Sequence, residues 1–111
     1  MAELTRDETF LVLDKWRSER TLLYCEVDSR LGCFRKVGRI LGSLTTNGFV
    51  LRSDSAIPDR ADDFIVIIRN DSTFAYEEPR DFPDVARQAR SMLLIMDSRS
   101  TEEKVSLFEL I

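Results

Sequence analysis

The chain carries one arginine where an apolar run meets a polar turn, in Ile67-Ile68-Arg69-Asn70-Asp71-Ser72-Thr73. A guanidinium is a rigid fork of donors, suited to gripping an acceptor-rich partner or to pairing with a neighbouring carboxylate such as Asp71. Few other residues offer chemistry. There is no histidine, so the commonest general base and commonest metal ligand are missing. Ser29, Ser43 and Ser53 therefore have no triad partner. Asp59, Asp62 and Asp63 lack the spacing, glycine and terminal glutamate of a calcium loop, and read as a solvated segment. Cys25 and Cys33 lack zinc-type spacing. They read as free thiols in a reducing cytosol rather than as a disulfide across a turn. No phosphate-cradling glycine loop is present. The sequence predicts no enzyme, no metal and no cofactor.

The bulk properties narrow the partners. The chain has 111 residues, one domain's worth, and is 43% hydrophobic and 32% charged. Sixteen basic against twenty acidic residues give a net charge of -4, which argues against broad nucleic-acid binding through a positive surface. MAELTRDE is acidic and has no apolar leader core, and no apolar run approaches the ~20 residues of a membrane span. A cytoplasmic protein without a membrane partner is expected.

The elements that must hold these residues follow from period and punctuation. Thr5 with Glu8 three residues on is a capping box, and Phe10, Leu13 and Trp16 or Arg17 continue at helical spacing, so a helix is predicted over 6–19. Strand one is Thr21 to Val27, followed by a turn at Asp28–Gly32. Strand two is long, Cys33 to Leu44, with Gly38 and Gly42 inside it, which predicts strong curvature. Asn47-Gly48 signals a tight hairpin into strand three, Phe49 to Ser53. Strands four (Asp63 to Arg69) and five (Thr73 to Tyr76) read as a hairpin across Asn70-Asp71-Ser72, closed off by the charged Glu77-Glu78. After Pro79, Asp81-Phe82-Pro83-Asp84 can cap a short helix. Ser91–Met96 and Lys104–Ile111 are apolar runs that read as two strands or two helical pieces, with strands preferred.

A short helix followed by five curved strands resembles the Sm-like family of small β-barrels, including its bacterial RNA-chaperone branch. Gly32-Cys33-Phe34-Arg35-Lys36-Val37-Gly38-Arg39-Ile40-Leu41-Gly42 with Phe49-Val50-Leu51 is similar to the family's first motif, and Ile67–Thr73 to its second. Val50 stands where the family places an asparagine, and Asn70 where it places a glycine. The resemblance implies a mainly β fold: an N-terminal helix and a bent five-stranded, SH3-like open barrel over 1–78, with 79–111 as an extension packed on it. It also implies a homo-oligomeric ring that binds short single-stranded RNA at a pore. Arg69 and Asn70 from one loop, with Asn47 and Phe49 from the other, would be its RNA-binding residues. Each has a plain reading beside it: Asn47 as turn geometry, Phe49 as core. The alternative function is a homo-oligomeric assembly or protein-interaction barrel that binds no nucleic acid. It is favoured by the acidic balance and by Val50.

Overall fold

The helix forms where its cap places it. In the computed structural model, which describes residues 2–53, 63–77, 89–97 and 100–110, α1 spans Arg6–Ser18. The Thr5 hydroxyl accepts the Glu8 N–H at 3.2 Å, and the Glu8 carboxylate accepts the Thr5 N–H at 3.0 Å. The pair satisfies two otherwise orphaned donors. These bonds, the Thr5 backbone one foremost, hold the Glu8 carboxyl below its ordinary value. At the other end Thr21 N–H reaches Trp16 C=O at 2.9 Å and Arg20 N–H reaches Arg17 C=O at 3.3 Å. That is a Schellman closure, and it forces Arg20 into the left-handed region at φ 53°.

Among the described residues eight strands follow the chain: β1 Ala2–Leu4, β2 Leu23–Ser29, β3 Gly32–Thr45, β4 Gly48–Ser53, β5 Asp63–Ile67, β6 Thr73–Glu77, β7 Ala89–Asp97 and β8 Ser100–Leu110. They form one open antiparallel sheet in the order β1-β6-β7-β8-β2-β3-β4-β5. The architecture is mainly β with one short helix, as expected, but it has eight strands rather than five. The two apolar runs of the last third are strands, and they lie inside the sheet, between β6 and β2. The short helix considered at residues 81–84 and the aspartates 59 and 62 lie outside the described residues.

The predicted hairpin across Asn70-Asp71-Ser72 is corrected. β5 ends one side of the sheet, while β6 pairs with β1 and β7 near the other. The polar turn is a crossover between sheet halves. β6 leaves its sequence neighbour because β7 is a longer apolar partner: Phe74 lies opposite Ile95 and Tyr76 opposite Leu93. Cross-strand pairs of this size set the pairing.

The sheet's inner face wraps α1, which packs against β3 and β6. Leu13 and Trp16 of the helix join Leu23, Leu51, Leu93 and Leu107 in the main core. On the opposite face Ala89, Met92 and Phe108 form a smaller cluster with Tyr24, whose ring lies 5.7 Å from that of Phe108. Two of the three glycines of β3, Gly38 and Gly42, mark its bend. Gly42, at φ 70°, sits where the β3–β4 register shifts between Leu41 and Thr45. Gly38 lies so close to β4 that a Cβ there would stand 2.1 Å from the Arg52 carbonyl oxygen.

Two substitutions should move stability in opposite directions. Gly38→Ala forces β3 and β4 apart and should cost about 3 kcal/mol. Arg20→Gly relieves the left-handed strain and should gain about 1 kcal/mol. Urea unfolding of both variants beside the parent checks the pair.

Candidate functional site: an edge strand and the rim beside it

The β3–β4 turn and the segment after β5 meet at one end of the sheet. Ile68 N–H donates to the Asn47 carbonyl at 2.8 Å, joining the β3–β4 turn to the start of the crossover. Arg6, at the start of α1, ties them further. One guanidinium nitrogen donates to the Arg69 carbonyl at 2.9 Å and another to the Thr46 carbonyl. The same side chain lies over the Phe10 ring, 5.4 Å from its centre. Ser72 closes the crossover: its hydroxyl accepts the Arg69 N–H at 3.0 Å, and its own N–H donates to the Arg69 carbonyl at 3.2 Å.

Of the four candidate residues, three reach this rim. Asn47 and Asn70 are exposed. Asn70 lines a pocket with Glu3, Arg6 and Thr73. Arg69 is half exposed and leans toward Asp97 of β7, Nε to Oδ2 at 3.8 Å. Phe49 is elsewhere: it is 2% exposed and packed in the main core, so it presents no ring face to a ligand at the rim. Beside Arg69 opens a cavity of about 240 Å³ between the ends of β2, β7 and β8. Its charged lining is Asp28, Asp97 and Glu103 against Arg69 and Lys104, an acidic balance.

The second feature was not foreseen. The Ile68–Asn47 bond fixes the phase of the β4–β5 ladder. In the observed register (Phe49 opposite Val66, Leu51 opposite Phe64), hydrogen-bonded pairs alternate with open ones. The N–H and C=O groups of Phe64, Val66 and Ile68 therefore turn toward β4. Those of Asp63, Ile65 and Ile67 turn away, and among the described strands none is hydrogen-bonded to β5 on that side; at its end Ile67 borders the cavity beside Arg69. On the outer face, Ile65 stands opposite Val50, and Val50 opposite Leu41. Ile65 is 70% exposed and Ile67 67%. An apolar row thus crosses three strands and ends at an open edge. The signal was in the sequence: Asp63-Phe64-Ile65-Val66-Ile67 is apolar on both faces, the pattern of a doubly covered strand. The end of β5 away from the rim is held by a fork between Arg52 and Asp63, at 2.8 and 3.1 Å. The Arg52 hydrogen bonds hold the Asp63 carboxyl below its ordinary range. What this pair adds to stability is present above the carboxyl's unfolded value and is lost as pH falls through the folded one. Both side chains are open to solvent, so salt screens it.

A third group gathers on the outer face of β2 and β3. Asp28 stands opposite Cys33 and Glu26 opposite Arg35. The Cys33 thiol lies 3.6 Å from a Glu26 oxygen, and Arg35 lies 3.4 Å from the same oxygen. The donor atoms of Glu26, Asp28 and Cys33 lie within 4.8 Å of one another, close enough to share a cation, with Arg35 already neutralising part of the charge. Hydrogen bonding to Asp28 first, with burial and Glu26 adding, raises the Cys33 thiol above its ordinary value. Cys25 faces the core, where burial pushes its thiol up to about 12.

The two thiols should therefore separate chemically. In the native protein near pH 8 an alkylating reagent should modify Cys33 alone, with Cys25 reacting only on unfolding. Asp28→Asn removes the strongest proton-holding contact and should speed Cys33 alkylation severalfold. Peptide mass mapping over a time course measures both rates, and prompt labelling of Cys25 would contradict the packing.

No family model, curated protein or solved structure matches this chain.

Proposed function

We propose that the chain is a non-enzymatic, homo-oligomeric assembly module that works through its sheet rather than through a catalytic pocket. The observation that carries this reading is the β5 edge: open peptide groups beside the exposed Ile65 and Ile67. Unpaired edges flanked by apolar side chains invite strand addition, and soluble proteins blunt them unless they are used. Here the outer face of β5 carries isoleucines where a blunted edge would carry lysine. The lack of histidine and the plain chemistry of the serines support a non-enzymatic role.

A second reading, short single-stranded RNA held at the rim, is favoured by the meeting of Asn47, Arg69 and Asn70 at one end of the sheet. The acidic balance beside Arg69 and the burial of Phe49 weigh against it. One pair of measurements separates the readings. Light scattering should give a mass above one chain, and titration with uridine- and adenine-rich oligonucleotides at low salt should give no binding. Salt-dependent binding that Arg69→Ala weakens would favour the RNA reading instead. A single-chain mass at all concentrations would remove the assembly reading.

A further inference from the structure

We infer that β5 pairs with β5 of a second copy, antiparallel about a two-fold axis through Ile65, to join two sheets into one. The inference rests on the assembly reading and names its contact. It follows from which peptide groups are free. Among the described residues only Asp63, Ile65 and Ile67 turn both N–H and C=O to the open side, and Arg69, next in phase, has both groups engaged by Ser72 and Arg6. A two-fold pairing must match outward residues with outward residues, so the axis passes through a residue and not between two. Centring on Ile65 puts Asp63 opposite the second copy's Ile67 and Ile65 opposite its counterpart. All the free groups are then used, in about six hydrogen bonds. Shifting two residues one way calls on the occupied groups of Arg69. The same shift of the axis the other way places Asp63 opposite Asp63 and leaves Ile65 and Ile67 with no partner among the described residues.

Side chains and charges agree with this register. On the outer face Leu41, Val50 and Ile65 of one copy meet Ile65, Val50 and Leu41 of the other, so two exposed half-rows become one apolar row across six strands. The two Asp63 carboxylates end about 13 Å apart, beyond the screening length in ordinary salt, and each keeps its own Arg52. No like charges oppose each other. The other free edge of the sheet, β1, is three residues long and runs straight into α1. It is a poor mate for the five residues of β5, so a closed two-fold pair is favoured over a head-to-tail ring.

The test uses charge at the axis. The parent protein should weigh two chains by light scattering at about 100 µM, the range of a small strand-pairing contact. Ile65→Lys and Ile65→Glu each place like charges face to face and should weigh one chain. Mixing the two variants in equal amounts should restore the two-chain mass, with a strong salt dependence. Ile65→Pro deletes an N–H that the β4 ladder does not use, and should also give single chains with native circular dichroism. Leu31→Lys, on a fully exposed residue outside the row, should change nothing. If the parent assembles and the Ile65 variants still do, another face is used: this inference fails and the assembly reading survives. A parent mass larger than two chains likewise overturns it. If single variants dissociate but their mixture does not recover, the axis is not at Ile65. A single-chain parent defeats both.

Discussion

The ladder between β2 and β8 is the seam on which this fold depends. On one side of it lies the meander β2–β5, built from consecutive hairpins. On the other lie β8, β7, β6 and β1, the last of them drawn from the opposite end of the chain. Leu23 opposite Glu109 and Val27 opposite Val105 join the halves by direct pairing. α1 reinforces the seam from within by packing on β3 of one half and β6 of the other. The crossover at residues 68–72 and the Arg6 bridge tie the same halves at the rim. Residues far apart in sequence must therefore meet before the core closes, and loop-closure entropy is spent before the pairing stabilises anything.

Much of the local structure was legible because it is decided locally. The Thr5–Glu8 box and the Leu13–Trp16 spacing are enough to write α1. The glycines of β3 announce its bend, and the turn before Gly48 announces the β3–β4 hairpin. What failed was partner choice. Asn70-Asp71-Ser72 has the same turn chemistry whether it closes a hairpin or changes direction between sheet halves. The decision lies with β7, whose Leu93 and Ile95 outbid the shorter β5 for the company of β6. β1 was missed because three residues carry no measurable period.

The candidate site divides in the same way. The meeting of Asn47 with Arg69 and Asn70 could be anticipated from the order of the loops, since every second connection along antiparallel strands falls at the same end. The burial of Phe49 follows from its phase with Leu51. The edge could not be anticipated, because which groups of β5 point outward depends on one bond, Ile68 to Asn47, and on β6 leaving for the other half. Val50 takes on a meaning of its own in this setting. Between Leu41 and Ile65 it continues an apolar row where an asparagine would interrupt it.

The place of β8 also matters while the chain is being made. As residues leave the ribosome, the β2–β5 meander is complete well before residues 100–110 exist. At about 5–20 residues per second the nascent sheet waits a few seconds with two open sides, one at β5 and one at β2. Leu23 and Cys25, fully buried in the finished protein, lie on that waiting strand. The interval is the window in which neighbouring nascent chains on one message can exchange strands.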